Sequence, residues 1–88
     1  MDMLLVDVME FNAAKRIFIF LQKVGLASVP VAGDKLILVV DATEIIFKVY
    51  DVHYIVNSDA PKVNVIRIST LSDYYASGFN DIAYYVRG

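Results

Sequence analysis

The chain has no cysteine and a single histidine, His53, among its 88 residues. The first absence excludes disulfide bonds and thiolate metal sites, and the second leaves no histidine cluster that could hold zinc. A chain of this length buries only about two-thirds of its unfolded surface. We therefore expect one small domain over residues 1–88, with no metal, no cofactor and a thin margin of stability.

Basic clusters and long apolar runs are also missing. The one adjacent basic pair is Lys15-Arg16, in a chain of net charge −2, whereas duplex binding needs clustered Lys and Arg. The longest apolar runs, 17–21 (IFIFL) and 36–40 (LILVV), are far shorter than the roughly 20 residues of a spanning helix. The N-terminal stretch lacks a positive region and is interrupted by Asp7, unlike a signal peptide. We expect a soluble, non-secreted protein whose partner is neither nucleic acid nor membrane.

Apolar residues, by contrast, are in excess. They make up 58% of the chain; counted with glycine and without tyrosine, the share is about 56%, against a typical 45–50%. A small domain has proportionally more surface, so it should need fewer apolar side chains than average. Because the protein must stay soluble, we favour a partner that covers them. The composition predicts a large interface, with copies of the same chain or within a larger assembly.

The residue types favour strands over helices. Val, Ile, Thr, Tyr and Phe make up 35 residues, whereas Glu and Gln together number three. The first group suits a pleated, packed surface, and the second favours helices. Strands are predicted at 35–40, 45–56 and 63–70, separated by a turn at 41–44 and a loop at 57–62. The short connections indicate an antiparallel meander.

The second of these strands changes face partway along. Its apolar residues form two alternating series that are one residue out of phase: Phe47 and Val49, then Val52, Tyr54 and Val56. One extra residue at Tyr50-Asp51 restores the phase, which is what a β-bulge does. A bulge also bends the strand, and bent strands let a short sheet curl into a small barrel.

The first third of the chain allows two interpretations. Residues 3–11 predict a strand, whereas residues 13–24 fit either a helix with Asn12 as N-cap or the returning strand of a hairpin. The helix would place Lys15 and Arg16 in its first turn, where the helix dipole disfavours cations. The sequence IFIF is also β-branched and aromatic, which suits a strand. We prefer the hairpin, with its turn at FNAAK.

The last stretch, from Ser72 onward, alternates polar and aromatic residues. Ser72 is expected to cap a single helical turn that Gly78 ends, and residues 82–86 to add a last strand. Four tyrosines form two adjacent pairs there: Tyr74 and Tyr75, Tyr84 and Tyr85. Tyrosine is enriched at interfaces because it combines a large contact area with a polar tip. We expect one member of each pair in the core and the other against a protein partner.

The stretch PVAGD, residues 30–34, predicts a tight turn into the strand at 35–40. Pro30 cannot donate to a β-ladder, Gly33 can adopt a positive φ, and Asp34 can accept from nearby backbone N–H groups. We interpret all three residues as structural.

This turn opens a longer pattern: P-x-x-G-D, an apolar strand, then F-x-V-x-x-V-x-Y and V-x-V-x-R-I. The residues that carry it are Pro30, Gly33, Asp34, Phe47, Val49, Val52, Tyr54, Val63 and Val65. With it, residues 30–68 resemble small SH3-like β-barrels, which are frequent among proteins of tailed phages and other mobile elements. The resemblance implies a small barrel without shared catalytic residues. The tail after Ser72 departs from the pattern, so the sequence leaves two alternatives, a closed barrel and an open one.

Two groups of polar residues are candidate sites. Asp51 and His53 place a carboxylate near an imidazole, the elements of an acid/base pair, but no nucleophile is beside them in the sequence. We interpret them as exposed residues next to the bulge. Asp41, Thr43 and Glu44 offer oxygens, but calcium loops need more ligands at regular spacing around a glycine. We interpret these three as a hairpin turn and predict no catalytic, metal or cofactor residues.

The two apolar runs, 17–21 and 36–40, are uncharged and β-prone, so they would promote aggregation if they were exposed at a sheet edge. Either both are central strands, or one is an edge that pairs with a neighbouring chain.

The expected fold class is mostly β, a small SH3-like antiparallel barrel or meander with a short C-terminal helical turn. The expected function is non-enzymatic. We expect a structural or assembly protein, such as a capsid-associated or connector component of a phage virion, that acts as a homo-oligomer or in a larger assembly. The alternative is a small phage-encoded binding module that inhibits or regulates a host protein. The expected location is accordingly the host cytoplasm or the virion.

Overall fold

The computed structural model describes residues 3–57 and 59–77. They form five strands and one short helix: β1 (Leu4–Asn12), β2 (Ile17–Leu26), β3 (Lys35–Val40), β4 (Thr43–His53), β5 (Lys62–Thr70) and α1 (Leu71–Ala76). The strands make one curled sheet, a half-barrel consistent with a small SH3-like barrel. The expected fold class is confirmed.

The strand order across the sheet is β2-β1-β5-β4-β3. Neighbouring strands are antiparallel, except that β1 and β5 run parallel. Parallel strands need a long connection, and here β2, β3 and β4 all lie between the two in sequence. The parallel pair joins the N-terminal hairpin to the meander that β3, β4 and β5 form.

The hairpin interpretation of residues 13–24 is confirmed, because β1 and β2 pair from Leu4↔Leu26 to Asn12↔Ile17. Asn12 stabilises the turn with two hydrogen bonds. Its carbonyl accepts from the Arg16 N–H at 2.7 Å, and its Oδ1 accepts from the Lys15 N–H at 3.0 Å. The helix that Asn12 would have capped is absent here.

The turn between β3 and β4 is shorter than predicted. Asp41 and Ala42 form it alone, with φ of 51° and 63°, and Thr43 already belongs to β4. Two consecutive positive φ values are typical of a type I′ hairpin turn, whose twist matches that of the flanking strands.

The predicted bulge in β4 is confirmed. Val49 pairs with Val65 and Asp51 with Asn64, so Tyr50 is the extra residue. The predicted strand at 45–56 is nevertheless too long. β4 ends at His53, which is opposite Lys62, the first residue of β5. Beyond that point β5 offers no partner, and Tyr54 and Val56 are exposed rather than part of an inward apolar series.

The helix α1 begins one residue after Thr70, whose side chain accepts from the Asp73 N–H at 3.1 Å. The N-cap is therefore Thr70, and the prediction of Ser72 was wrong. Thr70 ends β5 in an extended conformation, which is the backbone geometry that an N-cap requires. The predicted end at Gly78 and the predicted strand at 82–86 lie outside the described residues.

The core lies on the concave side of the sheet. Its fully buried side chains come from three central strands: Val6, Val8, Phe47, Val49, Val63 and Val65. Arg67 closes one end of this core. Its guanidinium lies 5.5 Å from the centroid of the Phe47 ring and donates two hydrogen bonds to the Glu10 carboxylate, at 2.7 and 3.0 Å.

Candidate functional site

The two most apolar strands lie at the two edges of the sheet. β2 contains IFIFL and β3 contains LILVV, and each pairs on one side only within the described residues. Edge strands of monomeric proteins are usually short, charged or covered. Here Ile17 and Phe20 on β2 are 53% and 55% exposed, and Ile37 and Val39 on β3 are 48% and 61% exposed. Of the two interpretations for these runs, the one with both strands in the centre is wrong.

The two edges approach each other because the sheet curls. The Gln22 side chain of β2 donates from Nε2 to the Val39 carbonyl of β3 at 3.3 Å. Leu26, Pro30 and Leu36 line an open cleft at the end of this gap. We call the gap between β2 and β3 the seam. The bond also shows that the Val39 carbonyl points into the seam, away from β4.

The exposed apolar surface extends beyond the seam. Seventeen large apolar side chains of the described residues are exposed, against eleven apolar side chains in the core. Three aromatic residues form a further cluster: the Phe11 and Phe18 ring centroids are 5.3 Å apart, and those of Phe18 and Tyr50 are 5.9 Å apart. An apolar surface of this extent is the usual mark of an interaction site.

The tyrosines selected from the sequence divide as follows. Tyr74 and Tyr75 both belong to α1; Tyr74 is buried and Tyr75 is 53% exposed, and their ring centroids lie 6.4 Å apart in a tilted contact. Thr70 caps the short helix that carries both. Tyr84 and Tyr85 lie outside the described residues.

The turn residues Pro30, Gly33 and Asp34 anchor β3 to β4. Gly33 adopts a φ of 97°, and its N–H donates to the Val49 carbonyl at 2.8 Å. Asp34 accepts the Val31 N–H on its carboxylate at 3.0 Å, and its carbonyl accepts the Val49 N–H at 2.7 Å. Pro30 is buried. This geometry accounts for all three residues as parts of a turn.

Asp51 and His53 are brought together, with His53 Nε2 3.1 Å from Asp51 Oδ2. Their side chains are 40% and 59% exposed. The other Asp51 oxygen accepts from the Asn64 amide at 2.7 Å, and Asn64 is the buried polar residue opposite Asp51 in the ladder. The Asp51 carboxylate thus connects β4 to β5 beside the bulge through its bond with Asn64. His53 contacts the same carboxylate from the exposed side.

An ion cluster on the other face of the sheet was not identified from the sequence. Asp7 of β1 lies 3.0 Å from the Lys23 ammonium of β2 and 3.2 Å from that of Lys62 on β5. The hydrogen bond from Lys23, followed by that from Lys62, lowers the pKa of Asp7 below its ordinary value of 3.8, against the opposing effect of burial. The cluster joins three adjacent strands, and only the pairing register brings its members together.

Within residues 3–57 and 59–77, no three His, Asp or Glu side chains are placed to hold a metal ion. No helix in that part of the chain is both long and apolar enough to cross a membrane. Comparison of the chain with protein-family models, with curated proteins and with solved structures finds no match. The site is therefore defined by its own geometry: two apolar sheet edges beside an exposed apolar face.

Proposed function

We propose that the protein is a non-enzymatic structural or assembly subunit that works through protein–protein contacts. The observation that supports this proposal most strongly is that the two uncharged apolar runs, 17–21 in β2 and 36–40 in β3, lie at the edges of the sheet. A monomer gains nothing from edges of this kind, since they invite pairing with any other extended chain. A subunit of an assembly uses the same edges for specific contacts.

The energetics support the same proposal. Complete burial of a Val, Ile or Phe side chain stabilises by about 1.5–3 kcal/mol, and Ile17, Phe20, Ile37 and Val39 are each about half exposed. A stable interface typically buries about 800 Å² per partner. The edges together with the adjoining Phe11, Phe18 and Tyr50 cluster offer an apolar surface suited to such an interface.

The resemblance of residues 30–68 to small SH3-like barrels of tailed phages supports a more specific proposal, that the assembly is a phage virion. In that case the subunit is a capsid-associated or connector component, present in the host cytoplasm until it is incorporated.

Light scattering at several protein concentrations tests the proposal. We expect the mean mass to rise above the 9.9 kDa of one chain as concentration increases. A soluble protein of constant monomer mass over the whole range would contradict self-assembly.

The alternative is a small binding module that inhibits or regulates another protein, such as a host protein. The exposed aromatic residues favour this alternative, because aromatic side chains are enriched in the centres of protein interfaces. A monomer at every concentration would support the alternative over self-assembly. Substitution of Tyr50 with alanine, measured by binding to an isolated partner, would then test the aromatic cluster directly.

A further inference from the structure

We propose that the convex face of the sheet, opposite the core, binds an extended acidic segment of another protein. The segment lies on four apolar and aromatic side chains that cross the sheet from β2 to β4, and we call them the convex row: Phe18, Phe11, Ile66 and Tyr50. This inference rests on the proposed function, action through protein–protein contacts, and deepens it because it names the chemistry of a partner.

The strand register places the first three members of the convex row side by side. Phe18 is the cross-strand partner of Phe11. Glu10 pairs with Val65, so Phe11 and Ile66 follow at the same level on neighbouring strands. Val65 is buried in the core, and side chains alternate along a strand. Phe11, Phe18 and Ile66 therefore face away from the core.

Tyr50 completes the convex row from the bulge in β4. Its ring stacks on that of Phe18, with the centroids 5.9 Å apart, and its side chain is 58% exposed. An open cleft of about 400 Å³ lies beside it, lined by Tyr50, Ile66 and Lys48 among others. The cleft can receive an apolar side chain of a partner next to a lysine.

Three cations border the convex row: Lys15, Arg16 and Lys48. The first two lie in the turn between β1 and β2, and Lys48 is opposite Ile66 on β4. None of the three forms an ion pair within the part of the chain that the structure describes. They are therefore available to a negatively charged partner.

The other basic side chains of the described residues each have a contact already. Lys23 and Lys62 contact Asp7, Arg67 contacts Glu10, His53 contacts Asp51, and Lys35 has a further contact. The cations without a partner in the described ranges are thus confined to the borders of the convex row.

Lys48 gains most from a negative partner. It is directly opposite Lys35, and like charges across strands destabilise a pair. Glu44 is four residues away along β4, about 13 Å. The carboxylates of Asp34 and Asp51 already accept hydrogen bonds from within the chain. A carboxylate supplied by a partner would offset the repulsion at Lys48.

The positions of the cations determine the form of the partner. Lys48 on β4 and the turn that leads into β2 are three strand spacings apart, about 14 Å. An extended segment rises about 3.4 Å per residue, so carboxylates about four residues apart reach both ends of the convex row. An apolar residue between them lies over the rings and the cleft.

A protein segment fits this surface better than single-stranded nucleic acid does. Nucleic acid binding combines a positively charged groove that follows the backbone with aromatic rings on which bases stack. The convex row has unpaired cations only at its two ends, and the Phe18 ring is already stacked on Tyr50 with an interplanar angle of 30°.

Fluorescence anisotropy with labelled peptides of about ten residues, long enough to cross the row, tests the proposal. Each probe has two glutamates about four residues apart with leucine or phenylalanine between them, and glutamine replaces glutamate in the matched control probes. We expect the glutamate probes to bind with a Kd below about 1 mM and the glutamine probes about fivefold more weakly. Equal binding of both kinds, or no binding of either, would overturn the proposal.

Two variants with matched controls locate the site. Lys48→Gln is compared with Lys23→Gln, and Tyr50→Ala with Tyr54→Ala, because each control removes the same group at an exposed position outside the convex row. We expect Lys48→Gln to raise the Kd of a glutamate probe about fivefold and Tyr50→Ala about tenfold, while both controls leave it nearly unchanged. Variants no weaker than their controls would overturn the placement, and circular dichroism checks that all four fold.

Two further measurements separate this proposal from others. A labelled oligothymidylate of about ten nucleotides should bind more weakly than the glutamate probes, and tighter binding would overturn the acidic segment in favour of nucleic acid. Light scattering of the unaltered protein measures self-association independently. If the protein associates but binds no glutamate probe, only the acidic-segment site fails. If it binds the probes and stays monomeric, the site stands and the proposed self-assembly fails.

Discussion

Substitution of Gly33 separates backbone strain from steric conflict. Its φ is 97°, and a Cβ added there would meet no heavy atom within 4 Å. Any loss of stability in Gly33→Ala must therefore come from the backbone conformation and from its effect on the Gly33 N–H, which donates to the Val49 carbonyl at 2.8 Å.

The expected magnitude can be worked from these facts. A side chain held in a sparsely populated region of φ/ψ space costs about 1–3 kcal/mol. Replacing glycine also stiffens the unfolded chain, which offsets this by about 0.4–1 kcal/mol. We expect Gly33→Ala to lower the free energy of unfolding by roughly 1–2 kcal/mol. With an m-value of about 1 kcal/mol per molar urea, the midpoint falls by about 1–2 M.

Gly25→Ala is the matched control. Gly25 has no positive φ, and its added Cβ would lie 3.2 Å from the Met3 Cβ. Met3 is exposed and can shift, so we expect a change below about 0.5 kcal/mol. Equilibrium urea unfolding at low micromolar concentration, followed by circular dichroism, compares the variants. A Gly33→Ala midpoint equal to that of the unaltered protein or of Gly25→Ala would refute the reasoning.

Three further predictions concern the core and the polar contacts. Phe47 has no exposed surface, so Phe47→Ala should cost about 3–5 kcal/mol; thermal unfolding measures this, and a cost under 1 kcal/mol would exclude Phe47 from the centre of the core. Asn64→Ala should cost about 1–3 kcal/mol, because it removes a buried partner of the Asp51 carboxylate, whereas His53→Ala should change the urea midpoint little; the reverse order would contradict the structural role of that contact. Folding lowers the pKa of Asp7 below its ordinary value of 3.8. The ionised carboxylate therefore contributes stability that is fully present above about pH 3.8 and is lost as the pH falls through the lower pKa of the folded state. Urea midpoints measured from pH 7 to 2.5 test this. We expect the midpoint of Asp7→Asn to lie below that of the unaltered protein at neutral pH, and the difference between the two midpoints to shrink in acid. A difference that stays constant with pH would contradict the lowered pKa.

The elements that sequence predicts well here are those with a local physical signal. The phase change between Phe47 and Val52 predicts a bulge at Tyr50-Asp51, because side chains alternate strictly along a strand, and the structure identifies Tyr50 as the extra residue. The composition of IFIF favoured the hairpin over a helix. In both cases neighbouring residues contain the information.

The elements that sequence predicts poorly depend on long-range pairing. Nothing local shows that the strands containing IFIFL and LILVV are edges, since edge position follows from the parallel pairing of β1 with β5. For the same reason Asp7 could not be assigned to Lys23 and Lys62. Tyr54 and Val56 look like strand residues, but β5 begins opposite His53 and leaves them without a partner strand.

The presence of exposed apolar side chains can be predicted from the sequence, but their position in the fold cannot. The apolar excess implied exposed or covered apolar side chains, and the described residues do expose them. Five of them lie on the two edge strands: Ile17, Ile19, Phe20, Ile37 and Val39. This placement, like the Gln22 contact between the edges, depends on the long-range pairing and curl of the sheet.

The central claim is that the apolar edges of the sheet are contact surfaces between copies of the chain. Amide hydrogen exchange at Ile37 of the β3 edge, measured at low and high protein concentration, tests this claim most directly. If a second copy covers the β3 edge, exchange of the Ile37 N–H slows as concentration rises, while that of the N–H groups in the Asp41–Ala42 turn stays unchanged. Fast exchange at Ile37 at every concentration would contradict the claim.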